Sequence, residues 1–238
     1  MDDIDQYIAD SLIGKPYGFS VGKEHFYLYP VTLGKMFLER RLIQALEVNS
    51  KYLKTNVSAE AIRLARTKKD VCLTIITYHT CKTKDEVFNT ELVSKRKALF
   101  GKELSYEDIA ALMMVVLFAD KTESFIKCLG IDKEQERLAT VMRIKRKGEK
   151  NNLTFGGLSQ FGTLLDAACE RYRWTKDYVV WGIDYTSLRM MLSDKITSVY
   201  VTDEELKHLP KSVLVGGNAT IKADDPKNKE LIQSMDWK

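Results

Sequence analysis

Along most of the 238-residue chain, apolar positions recur at steps of three and four, the spacing of helices that turn one face inward. The exception is an alternating stretch at 17–32, YGFSVGKEHFYLYPVT, where Phe19 and Val21 precede Gly22-Lys23 and Phe26 to Tyr29 follow. Alternation around a glycine turn predicts a small β-hairpin at about 17–30, ended by Pro30. Beyond it Thr32 is placed to cap a helix reaching about Glu47, with Met36, Phe37, Arg40 and Ile43 along it. Ser58 is placed to cap the next, where Ile62, Ala65, Cys72, Ile75, Ile76 and His79 share a face. A third helix is predicted from Lys84 to Leu99, ending at Gly101. Ser105 and Asp108 have capping-box spacing ahead of a very apolar helix over 106–119. A short helix over 122–129 closes at Gly130, and Asp132 with Gln135 opens another over 133–145.

The periodicity then lapses. Residues 146–159 are basic, then polar, then glycine-containing, which is the composition of a linker. Helical spacing resumes over 160–208, where Thr202 and Glu205 again have capping-box spacing. After Leu209 the apolar period fades and Pro210, Gly216 and Gly217 appear, so 209–238 reads as a loosely ordered tail. The predicted fold is therefore mainly α. It comprises a helical domain over 1–145 carrying the hairpin, the linker, a smaller unit of three to four helices over 160–208, and the tail.

One stretch concentrates aromatic and sulfur surface: CERYRWTKDYVVWGIDYTSLRMMLSD, residues 169–194. It reads as three helices joined by tight turns, with Thr175 capping a short middle helix that Gly182 closes. Trp174, Tyr178 and Trp181 could fill a small core, since aromatics dominate core burial. With Met190 and Met191 they could instead form an adaptable apolar surface for a partner. A helix-turn-helix is the third reading, with Thr186, Ser187 and Arg189 as base-edge donors. Asp184 and Asp194 count against it, because carboxylates are unfavourable beside phosphates.

Charge and candidate chemistry narrow the function mainly by exclusion. The net charge of +4, from 37 basic and 33 acidic residues, permits a basic patch without requiring nucleic acid as partner. The best candidate patch is Arg143, Lys145, Arg146, Lys147 and Lys150, which lacks the interleaved aromatics that stack on bases. Cys72, Cys81, Cys128 and Cys169 are widely spaced without a CxxC, as expected of reduced thiols in a cytosol. His79 beside Cys81 is too little for zinc, so no metal or other cofactor is expected. No phosphate-binding glycine loop, nucleophile elbow or acid–base constellation is present, and the chain reads as non-enzymatic. The acidic start MDDIDQYIADSLIG is unlike a secretory signal, and the longest apolar run, Ile109 to Ala119, falls short of the ~20 residues of a membrane span.

Three stretches carry a resemblance: FYLYPVTLGKMFLERRL (26–42), TYHTCKTKDEVF (77–88) and LLDAACERYRWTKDYVVWGIDYTSLRMMLSD (164–194). They resemble proteins of tailed bacteriophages and prophages of gut bacteria. The last, a helix, an aromatic W-T-x-x-Y-V step and a second helix with paired apolar residues, is similar to the C-terminal part of phage tail assembly chaperones. That resemblance implies a protein of the host cytoplasm that binds the tape-measure or tail-tube protein during assembly and forms homo-oligomers through residues 1–145. Residues 1–145 would then meet the tape measure and 160–205 the tube subunits, with Trp174, Tyr178, Trp181, Met190 and Met191 as candidate contacts. The rival expectations are a virion component, such as a tail-completion or connector protein, and the helix-turn-helix regulator.

Overall fold

A computed structural model describes residues 9–10, 13–117, 122–148, 158–210 and 213, apart from the side chains at 53–54, 146–148 and 160. The expected fold class is observed: mostly helix, with one two-stranded antiparallel hairpin near the start. Strands β1 (Tyr17–Val21) and β2 (Glu24–Leu28) pair Val21 with Glu24 across a two-residue turn. Gly22 has φ +60° there, at the first turn position, where a type II′ hairpin turn calls for glycine. Alternation sends Val21 and Leu28 into the core and leaves Tyr27 exposed, while Tyr17, on the same face as Val21, is exposed at the open end of the hairpin.

Helix α1 (Leu33–Leu46) starts at Thr32, whose hydroxyl accepts from the Lys35 N–H, as its sequence spacing predicts. It ends at Glu47 in the left-handed region, φ 52°. Glu47 is held there from two sides: its carbonyl accepts from Arg63 at 3.1 Å and its carboxylate meets Lys68 at 3.0 Å. Helices α2 (Ser50–Thr55) and α3 (Val57–Thr67) are capped by Asn49 and Asn56.

The helix expected to run on from Ser58 past Cys72 is two helices, because Lys68 leaves helical geometry (φ −130°, ψ 34°) before α4 (Lys69–Thr80) begins. The helix expected from Lys84 to Leu99 is also two, α5 (Lys84–Phe88) and α6 (Thr90–Glu103). Asn89 makes that break: its side chain accepts from the Leu92 N–H and so restarts the helix. Helix α7 (Tyr106–Leu117) follows the Ser105–Asp108 pair, which bond reciprocally as a capping box does.

The chain divides into two compact units, and the division differs from the expected one at 146–159. The first unit combines 1–125 with 157–192, so the aromatic stretch belongs to the body that contains the hairpin. Its main core packs α3 along α7 and α4 against α1, α6 and α7, around Leu64, Ile75, Ile76, Phe100, Ile109 and Met113, all without solvent contact. Full burial of one such side chain contributes about 1.5–3 kcal/mol. Phe100 is met by the ring of Phe26 at 4.9 Å and of Phe19 at 5.8 Å, which fastens the hairpin to α6. A smaller core of Ala168, Val179 and Leu188 joins α10 (Gln160–Tyr172), a π turn (Tyr178–Gly182) and α11 (Tyr185–Ser193).

The second unit combines 126–156 with 193–238. Helix α8 (Thr122–Cys128) leads into it, and α9 (Ile131–Gly148) packs on α12 (Asp203–His208). The capping box predicted at Thr202 and Glu205 is formed. Gln135 donates to the Ser193 carbonyl, Arg137 to the Val213 carbonyl and Lys145 to the Tyr200 carbonyl. The first three residues of the expected linker are helical, since α9 runs to Gly148; residues 149–157 lie outside the described residues, as does the expected tail beyond Leu209, Pro210 and Val213. Among the described residues no helix is long and apolar enough to cross a membrane.

Candidate functional site

Two local features of the first unit concentrate unusual side chains. One is the aromatic step between α10 and α11. Arg173 closes α10 in the left-handed region at φ 57°, and Thr175 then receives the Tyr178 N–H on its hydroxyl. The middle helix is a π turn: the Ile183 N–H reaches five residues back to the Tyr178 carbonyl at 3.2 Å. Gly182 makes this possible, because a Cβ there would lie 2.4 Å from the Tyr178 ring. Single π turns are frequent at functional sites.

The turn separates its aromatics onto two sides. Trp174 stacks on Tyr172 at 4.7 Å and meets Tyr178 edge-on at 5.1 Å, packing partly against the Ala168–Val179–Leu188 core. Trp181 is aimed instead at α1, where it lies so close to Gly34 that no side chain fits between them. Backbone contacts lock this arrangement: the Tyr185 N–H donates to the Val31 carbonyl at 2.8 Å, and Thr32 and Asp184 form a β-bridge. Phe37 of α1 meets Phe161 of α10 edge-on at 4.4 Å.

An open cleft of about 370 Å³ forms beside Trp181, lined by Lys84, Lys176, Asp177 and Val180. Phe88 stands at 5.6 Å from Trp181 and is 56% exposed; Tyr178 is 45% exposed. Lys84 and Asp177 form an ion pair at 2.7 Å across the rim. Among the sequence candidates, Trp181 therefore lines the cleft and Tyr178 lies exposed on the same π turn. Trp174 belongs to the small core, Met190 is buried, and Met191 is partly exposed on α11. Lys84, Phe88 and Val180 were not singled out by sequence reasoning; their signal is only that TYHTCKTKDEVF ends in a phenylalanine that α5 leaves uncovered.

The candidate DNA-reading side chains of α11 are engaged internally. Thr186 and Ser187 are buried, and Arg189 donates to the Tyr185 hydroxyl and to Glu123. Of the basic run, Lys145 is tied to the Tyr200 carbonyl and Arg143 is exposed on α9. Arg146 and Lys147 share that helix, and Lys150 lies outside the described residues.

The second feature is a buried polar group between α1, α4 and α5. Lys35 and Glu39, one turn apart on α1, are each 2% exposed. The Glu39 Oε2 meets His79 Nε2 of α4 at 3.1 Å. The Lys35 Nζ and the Glu39 Oε1 have no hydrogen-bond partner among the described residues, and the Lys35 ammonium lies 6.0 Å from the Tyr29 ring centre. Burial lowers the Lys35 pKa to about 8, against the opposing pull of Glu39, Cys81 and Glu86. The Cys81 thiol is pushed up by burial, with Arg96 and Lys35 opposing, and donates to the Thr77 carbonyl. Arg96 of α6 donates to the Thr80 carbonyl at 2.9 Å and lies 3.5 Å from the Glu86 carboxylate. Cys72 is buried elsewhere in α4, its thiol raised to about 11, which keeps it protonated and inert.

Comparisons with protein families, with curated proteins and with solved structures give no match to the chain.

Proposed function

We propose that the chain is a non-enzymatic assembly protein of a tailed bacteriophage, a tail assembly chaperone that holds an apolar segment of the tape-measure or tail-tube protein in the host cytoplasm. The observation that supports this most is the cleft beside Trp181. Trp181 and Val180 line it beside Lys84, Lys176 and Asp177, Lys84 pairs with Asp177, and the exposed Phe88 stands 5.6 Å from Trp181. An apolar centre ringed by polar groups is the usual make-up of a protein-docking spot, and an amphipathic helix is a common occupant. Internal engagement of Thr186, Ser187 and Arg189 weighs against the DNA-binding alternative.

The test is co-expression of the tagged chain with the neighbouring tail genes, followed by capture. The double variant Phe88→Ala/Tyr178→Ala alters exposed rings and leaves Trp181 on its seat. The native chain is expected to retain tape-measure or tube protein, and the folded double variant to lose at least tenfold of it. Equal capture by native and variant chains would rule out the cleft. Recovery of the chain in purified virions would favour the tail-completion or connector reading.

A further inference from the structure

The cleft beside Trp181 is unbalanced in charge. Lys84, Lys176 and Asp177 all line it. The Lys84 ammonium meets the Asp177 carboxylate at 2.7 Å, so those two cancel. Lys176 is exposed and takes part in no ion pair among the described residues. The end of α10 and the step after it hold two more exposed cations, Arg171 and Arg173, against one more carboxylate, Glu170. On α5, Asp85 does not line the cleft, and the Glu86 carboxylate lies 3.5 Å from Arg96. The cleft thus joins an apolar wall, Trp181 and Val180, to a cation without a counter-charge.

We propose that the cleft selects an acidic amphipathic helix: a large apolar side chain of the partner sits beside Trp181 and Val180, and a carboxylate one helical turn from it pairs with Lys176. The proposal rests on the docking reading above and names the chemistry of the segment that docks. A volume of about 370 Å³ is at the small end of binding pockets and suits one or two side chains, not a whole helix face. Residues three or four apart on a helix are neighbours on its surface, so one turn presents both groups. The exposed rings of Phe88 and Tyr178 extend the apolar contact beyond the cleft. Single-stranded nucleic acid would also be drawn to free cations, but its bases stack on open aromatic faces. Trp181 is closed in by Gly34 and by Phe88, edge-on at 5.6 Å, and Asp177 places a carboxylate at the same spot. A protein segment is the better fit.

Short synthetic helical peptides test this. They share one leucine face and differ in a polar face of glutamate, glutamine or lysine, and fluorescence polarisation reads their affinity for the full chain at low and at high salt. The glutamate peptide is expected to bind about tenfold more tightly than the lysine peptide, with glutamine between them, and the order should flatten at high salt. Lys176→Glu should weaken the glutamate peptide about fivefold. Lys102→Glu makes the same charge change at a side chain of α6 that is 81% exposed, and should leave that affinity unchanged. Equal affinities for the peptides, or no binding by any of them, overturn the proposal. An equal loss in the two lysine variants, which would put net charge alone at work, overturns it too. So does a single-stranded oligonucleotide that binds more tightly than the glutamate peptide. No tail protein is used: glutamate selectivity without capture of a tail protein keeps this site and removes the chaperone reading, whereas capture without selectivity removes this proposal alone.

Discussion

Gly34 and Trp181 are fitted to each other: a Cβ on Gly34 would lie 2.7 Å from three carbons of the Trp181 indole. One glycine near the start of α1 thus seats the π turn, and the π turn seats the cleft. Gly34→Ala adds a methyl group where none fits, at about 1–3 kcal/mol for overpacking, offset by about 1 kcal/mol of better helix propensity. We expect a net loss of up to about 2 kcal/mol, with a red-shifted tryptophan emission as the indole lifts from its seat. Thermal unfolding and emission spectra of the two proteins check this. Unchanged spectra would mean that Trp181 is not fixed by Gly34.

Glu60 is buried near the start of α3, with its oxygens filled by charged or backbone donors. Its Oε1 accepts from the Asn49 N–H at 2.7 Å and from Arg63 at 2.6 Å, and its Oε2 accepts from Arg63 Nε at 2.8 Å. The Arg63 bonds come first in holding its carboxyl below the usual range; burial opposes them and the Asn49 N–H adds to them. A carboxyl with a depressed folded pKa contributes stability above its unfolded value, here 4.5, and loses it as pH falls through the folded value. Glu60→Gln is expected to cost about 2 kcal/mol at pH 7, the scale of hydrogen bonds to a charged group. The gap between native and variant in urea unfolding should narrow as pH drops below 4.5. A gap that is the same at pH 3 and pH 7 would show that the carboxylate's charge is not what α3 uses.

What the sequence made legible is what neighbours in the chain decide. The Thr32 cap, the Ser105–Asp108 pair, the Thr202–Glu205 box and the hairpin around Gly22 each need only a few adjacent residues. The breaks at Lys68 and Asn89 were less visible, because apolar spacing runs through both. Asn89 carries a signal, being a good cap, but it lies inside a stretch that already satisfies one long helix. Lys35 and Glu39 were invisible for a different reason. A lysine and a glutamate one turn apart read as a solvated pair, and their burial depends on His79, forty positions away. The aromatic stretch was recognisable as a cluster. Its division into a core Trp174 and a seated Trp181 depends on α1, which the local pattern does not contain.

Lys35 gives the third prediction, because its burial lowers stability over a defined pH range. A lysine whose folded pKa is lowered from 10.5 to about 8 binds fewer protons folded than unfolded between those values. Stability therefore rises with pH across that window. Between pH 7.5 and 9.0 the native chain should gain about 1 kcal/mol relative to Lys35→Met, which has no proton to lose there. The difference between the two proteins is the informative quantity. The buried Cys72 thiol, raised to about 11, favours the folded state less as pH climbs past 9, and does so in both proteins. Cys81 is also raised by burial, and there Lys35 opposes the shift, so its thiol contributes to the difference. At pH 7.5 Lys35→Met has two opposing effects, since it removes an ammonium that lacks a hydrogen bond and takes from Glu39 the buried cation one turn away on α1. The sign of the offset at pH 7.5 reports which effect is larger, whereas the slope between 7.5 and 9.0 reports Lys35 together with the Cys81 thiol it acts on. Urea unfolding of both proteins at the two pH values measures offset and slope together, and parallel curves would show that Lys35 is hydrated in the folded chain.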